Sequence, residues 1–164
     1  MYAGLELGED ARDLGPSEGP YGANMSVRRD LGRKLAFDPS LGRQGTSLIS
    51  NEETHFFARL RRTHVVRYAP KAVVSHGVLP GRDELGYLLQ RSFASGQSDV
   101  IASRLEGDRM RAYSVAASLA GNAARTVTMR GAGTWGPKGF VAGLAWTAED
   151  LGRLRTLLSR PRRR

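Results

Sequence analysis

The sequence predicts a mixed chain of α/β class, α+β-like in arrangement, with short strands and packing helices followed by a helical extension. Three observations predict it. Short β-branched runs occur at 65–68 and 72–75, separated by Pro70. Apolar residues recur at helical spacing, first as Phe56, Phe57 and Leu60, then as Leu85, Leu88, Leu89 and Phe93. The charge balance shifts late in the chain: residues 1–100 hold thirteen Lys or Arg against twelve Asp or Glu, and residues 101–164 hold twelve against four. Almost all of the formal charge of +9 therefore lies in the last third. That surface is expected to face something anionic.

Each element follows in order. Residues 1–20 are rich in Gly, Pro and acids and read as irregular. YGANMSVR (21–28) is a short strand candidate, and 29–35 a short helix. FDPSLGRQGTS, within 36–50, is loop by its Pro, Gly and Ser content. A helix is expected over 51–62, then strands at 65–68 and 72–75, with His76 and Gly77 directly after. A second helix spans 82–95, with Gly96 as its stop. From 99 to 128 the pattern is mostly helical, with a break at Gly107. GAGTWGPKGFVAG (131–143) is Gly-rich, and Thr147 caps a last helix that ends near Leu158. RPRRR at the end is a disordered basic tail by composition.

Composition bounds the chemistry. At 164 residues, 40% hydrophobic and 25% charged, the chain has the makings of one soluble domain with a modest core. It holds no cysteine, which excludes disulfides and thiolate metal sites and suits a cytoplasmic setting. No run of about 18 apolar residues is present, so no membrane-spanning helix is expected. The acidic start, with Glu6, Glu9, Asp10, Asp13 and Glu18, has none of the basic and apolar regions of a signal peptide.

Five blocks carry a resemblance: PYGANMSVRR (20–29), FDPSLGRQG (37–45), NEETHFFARLRR (51–62), VVRYAPKAVVSHGV (65–78) and LLQRSFASGQS (88–98). In this order and at these distances they resemble the C-terminal half of a family 2 glycosyltransferase of GT-A fold. The resemblance covers about half the chain and makes residues 1–100 half of a catalytic domain, with a partial GT-A sheet. Residues 101–164 match no motif and form a basic helical extension. The resemblance implies an inverting transfer of a sugar from a nucleotide-sugar to an acceptor hydroxyl on a glycan or lipid-linked acceptor. One departure is large. The family's nucleotide-binding half ends in an Asp-x-Asp metal motif, and no Asp-x-Asp occurs among these residues. The chain is therefore expected to be a fragment, to work with a second polypeptide that carries the other half, or to be a non-catalytic domain that docks on a partner transferase or a membrane. An incomplete sheet also predicts poor solubility or self-association.

Residue by residue, the resemblance makes Glu53 the catalytic base and Glu52 its acidic partner, where the family usually has Glu-Asp. Such a displacement needs a carboxylate to take the acceptor's proton and positive charge on the departing diphosphate. His76 takes the position of a ligand to a divalent Mn²⁺ or Mg²⁺, although the family's Asp ligands are absent. Asn24 and Arg91 stand where acceptor or diphosphate contacts lie. Each has a plainer reading. Ser50-Asn-Glu-Glu fits a capping box in which Glu53 bonds back to the Ser50 amide. Asn24 suits turn-forming hydrogen bonds, and Gln90 and Arg91 a solvated helix face. His55 and His64 read as surface residues.

The C-terminal third, basic and holding Trp135, Phe140 and Trp146, suits an anionic membrane surface. Its plainer reading is a helical appendix with Trp packed on the core and Arg in water. The protein is expected in the cytoplasm, and on the membrane reading it is expected to be peripheral at the inner face of the membrane. Nucleic acid is the weaker partner, because the charge is concentrated toward one end and no nucleic-acid-binding signature is visible.

Overall fold

The structure, a computed structural model, describes residues 7–16, 18–19, 21–77, 79–108, 121–122 and 137–159. Their elements run β1 (Arg12–Asp13), α1 (Arg29–Leu35), α2 (Glu52–Leu60), β2 (Arg67–Tyr68), α3 (Leu85–Glu106) and α4 (Pro137–Leu158). The fold is mixed and mainly helical, with one small sheet among the described residues. β1 and β2 pair antiparallel, Arg12 with Tyr68 and Asp13 with Arg67, and the Leu14 amide extends the pairing to the Val66 carbonyl at 2.8 Å.

The N-terminal core forms around α2. Phe56, Phe57 and Leu60 are buried with Val66, and Leu14, Leu31 and Leu35 pack against them. Leu31 and Leu35 are spaced one helical turn apart on α1, which explains why so short and exposed a helix is held. Phe37 stacks on Phe56 at 4.7 Å between centroids and seats the loop after α1 on this core. Near the sheet, the Arg12 guanidinium and the Gly15 amide bond Glu18 and hold its carboxyl at about 2.

Sheet structure is sparser than the sequence suggests. Residues 21–28 do not form a strand: Tyr21 and Asn24 make an isolated bridge across a tight turn, closed by an amide bond of 2.8 Å. Residues 72–75 are not a strand either; they are exposed, and the described residues offer them no neighbouring ladder. A β-branched run without a partner chain beside it has nothing to hydrogen-bond to.

Two helices run longer than expected. α3 continues straight through Gly96 and ends at Gly107, whose left-handed φ of 73° closes the helix. α4 begins ten residues before Thr147. Thr147 is not its cap, since the hydroxyl donates back to the Gly143 carbonyl at 2.9 Å from within the helix. Gly96 is buried because α4 lies against it: a Cβ there would come within 1.9 Å of the Glu149 carbonyl oxygen. Gly152 answers it on α4, where a Cβ would come within 1.9 Å of the Phe93 carbonyl oxygen. Glycine lets the two backbones touch, at a cost in helix propensity of about 1 kcal/mol each. From Gly96 against Glu149, through Asp99 with Arg153, to Arg104 with the carbonyls of Thr156, Leu157 and Ser159, the contacts advance toward the C-terminal ends of both helices, so α3 and α4 run in the same direction.

An ion network crosses this contact. Arg153 bonds Asp99 at 2.8 Å, Asp150 at 3.0 Å, and Glu149 one turn away. Burial raises the Glu149 pKa, and the nearby Asp99 and Asp150 add to it against the pull of Arg153. Trp135, the tail 160–164 and most of the helix expected after Gly107 lie outside the described residues.

Candidate functional site

The start of α2 is where several blocks far apart in the sequence converge. Asn51 precedes the helix in a left-handed conformation, φ 73°, which Asn tolerates better than most residues. Its side chain makes no cap; it donates to Asp99 on α3 at 3.1 Å. The capping box expected of Ser50 and Glu53 does not form. The Ser50 amide donates instead to the hydroxyl of Ser98 at 2.9 Å, and its own hydroxyl accepts from Arg91 at 2.8 Å. Partners from α3 thus replace the local cap.

The two carboxylates turn to different neighbours. Glu53 lies against the turn at Gly22, where an added Cβ would sit 3.3 Å from its Oε1. Glu52 lies against Gly42, whose φ of 89° bends the preceding loop toward it, and an added Cβ there would be 3.3 Å from the Glu52 Cδ. The Glu52 Oε2 is buried without a hydrogen-bond partner. A buried carboxylate oxygen in that state is an acceptor waiting for a donor.

Asn24 closes its own turn and also reaches across the fold, its Nδ2 donating to the Ala72 carbonyl at 2.6 Å. It joins the first block to the fourth. Arg91 is not on a solvated face: its Nη1 bonds the Leu48 carbonyl and the Ser50 hydroxyl, both at 2.8 Å, and braces the loop that enters α2. Gln90 beside it is exposed. His76 is exposed in the segment after β2, and His64 is exposed in the segment before it. His55 departs from its surface reading. It is 5% exposed, its Nδ1 lacks a partner, and burial, then the charge of Arg59, lowers its pKa.

A groove of about 1090 Å³ opens between the 21–28 segment and residues 64–76. Asn24 and His76 both line it, together with Arg28, His64, Arg67 and Lys71. Glu52, Glu53 and Arg91 are not part of that lining; Glu53 sits behind the turn that forms one wall. The groove's charged side chains are mostly cationic, with Glu9 opposing them. Arg28 is bonded to Asp30 at 3.0 Å and Arg67 lies 3.6 Å from Asp13. With both arginines so paired, Lys71 is the lining cation left among the described residues to meet an anionic group.

The resemblance makes His76 a metal ligand. Among the described residues it belongs to no group of three or more His, Asp or Glu. These residues do not by themselves make a divalent-cation site of ordinary ligand count.

Sequence reasoning missed Asn51, Ser98, Asp99 and Arg153. Their partners lie 48 to 54 positions away, so no local pattern announces them. No known family model, curated protein or solved structure matches this chain.

Proposed function

We propose that residues 1–100 serve as the acceptor-side half of an inverting, nucleotide-sugar-dependent transferase similar to family 2 glycosyltransferases of GT-A fold. One observation carries the reading: blocks far apart in sequence meet at the start of α2. Gly22 meets Glu53, Gly42 meets Glu52, Arg91 and Ser98 hold Ser50, and Asn24 ties in Ala72. The cationic groove beside them suits a diphosphate and supports the same reading.

In this mechanism Glu53 takes the proton of the acceptor hydroxyl as its oxygen bonds to the anomeric carbon. The bond from that carbon to the diphosphate breaks, and the leaving group departs with the electron pair. A divalent cation supplies charge neutralisation on the diphosphate in this family. Among the described residues of this chain no complete site for such a cation is present. The groove lined by His76 then supplies a partial diphosphate contact, and full donor binding calls on a nucleotide-binding half beyond these 164 residues, on the same or another polypeptide. Such an enzyme would work in the cytoplasm, at the inner membrane face if the acceptor is lipid-linked.

The test is calorimetry of the purified chain with a panel of nucleoside diphosphates and Mn²⁺. The reading expects heat that disappears in Glu53→Ala and His76→Ala. Absence of heat, with both variants folded, assigns the chain instead to a non-catalytic domain that docks on a partner transferase. That second reading has its own support: Val65, Val73 and Val74 are 69%, 81% and 50% exposed along one flank of the groove.

A further inference from the structure

α4 presents two opposed faces. Glu149, Gly152, Arg153 and Thr156 turn toward α3. On the other side Leu144, Thr147, Leu151, Leu154 and Leu158 follow at steps of three and four residues, so they form one stripe along the helix. Its outer leucines are in water: Leu151 is 52% exposed, Leu154 38% and Leu158 78%. Large apolar groups in a row on a surface mark an interaction face.

Charge on α4 is sorted along the same axis. Its only two carboxylates, Glu149 and Asp150, are drawn inward to Arg153, and Asp150 is 3% exposed. Arg155 is exposed, with its guanidinium 5.8 Å from the Phe93 ring and no carboxylate paired with it among the described residues. After Asp150 the sequence holds no acid and six arginines, five of them besides the inward-turned Arg153. A leucine stripe beside which Arg155 is the exposed charge among the described residues of α4, followed in sequence by four more arginines, complements an amphiphile whose surface is negative and whose interior is apolar.

We propose that the outer face of α4 docks on an anionic lipid bilayer, the helix lying in the plane of the interface with Leu151, Leu154 and Leu158 among the acyl chains and the arginines among the headgroups. Among the described residues no helix is long and apolar enough to cross a membrane, so this contact lies on the bilayer. A second copy of the chain suits the stripe less well, since parallel pairing through the leucines brings two arginine-rich stretches together. Nucleic acid answers the arginines but leaves the leucines in water. This docking face uses neither the groove nor the acidic pair, so it stands apart from the transferase reading.

The experiment is co-sedimentation of the full chain with vesicles of phosphatidylcholine alone and with about one-third phosphatidylserine. Binding is expected to be at least roughly tenfold tighter on the anionic vesicles and to weaken as salt rises. Leu151→Ser combined with Leu158→Ser is expected to weaken it roughly tenfold while the circular dichroism stays unchanged. If the double variant loses helix, Leu158→Ser alone, at the last residue of α4, carries the test. Equal binding to both vesicle types, binding to neither, or an unchanged affinity in the leucine variants would overturn the proposal. So would a wild-type dimer that binds no vesicles and that the leucine substitutions dissociate.

Discussion

A buried imidazole is stable only while it is neutral. His55 is 5% exposed, and its protonated form would lose hydration beside Arg59, with Arg62 also near and only Glu106 and Asp38 in favour. Its pKa in the fold therefore lies below the ordinary 6.5. The unfolded chain takes up the proton first as pH falls, so this stabilisation is complete above about 6.5 and is lost on going down through the lower, folded value. Urea unfolding between neutral and mildly acidic pH is expected to show falling stability, and His55→Gln to flatten that slope. A wild-type slope unchanged in the variant would mean that another group titrates. The same scale explains why Glu53 is not a cap. S-x-x-E is a local signal, but Ser50 has stronger partners in Ser98 and Arg91, which leaves the Glu53 carboxylate to meet Gly22. Ala36, at φ 46°, sits where a Cβ is unwelcome, and Arg59 holds the Leu35 and Ala36 carbonyls in that bend.

Among the elements, the pairing of α3 with α4 sets both lengths. Gly96 reads as a helix stop in isolation, yet a neighbouring backbone within van der Waals contact makes it the residue that lets the helix continue. Gly96→Ala places a methyl 1.9 Å from a backbone oxygen that cannot rotate away, so the helices must part. A loss of about 3 kcal/mol or more is expected in denaturant unfolding, at the upper end of overpacking. Gly86, with open space around its Cβ position, is the control: Gly86→Ala on the same helix is expected to be neutral or stabilising by about 1 kcal/mol. Equal effects at both positions would contradict the close approach. Phe140 and Trp146, 53% and 40% exposed, likewise follow from which face of α4 meets α3, and Trp146 does not cover the core.

For the whole molecule, the hub at α2 and the helix pair are one connected structure. Asn51 bonds Asp99, Asp99 bonds Arg153, and α3 runs unbroken from Leu85 to Glu106 across the position where the charge balance changes. The outer surface is less complete. Val65, Val73, Val74 and Leu79 are each at least half exposed near a two-stranded sheet. Concentration-dependent association in light scattering is expected, and substituting Val73 and Val74 with Lys should reduce it. A monomer with a single cooperative melt at all concentrations would count against the half-domain reading.

Local chemistry was legible in the sequence. The α1 span, the core face of α2, the loop over 36–50 and the end of α3 at Gly107 all follow from periodicity, turn residues and left-handed glycine, which act over a few positions. The pairs Asn24 with Ala72 and Arg91 with Ser50 were not legible there, because each joins residues more than 40 positions apart. Tertiary structure alone decided the rest: the burial of His55, the passage of α3 through Gly96, the early start of α4, the Asp99–Arg153 network and the absence of strands at 21–28 and 72–75. Each depends on what lies beside a residue across 40 or more positions, as the 48 from Asn51 to Asp99 shows. Glycine, serine and histidine have no fixed preference of their own strong enough to resist such a neighbour.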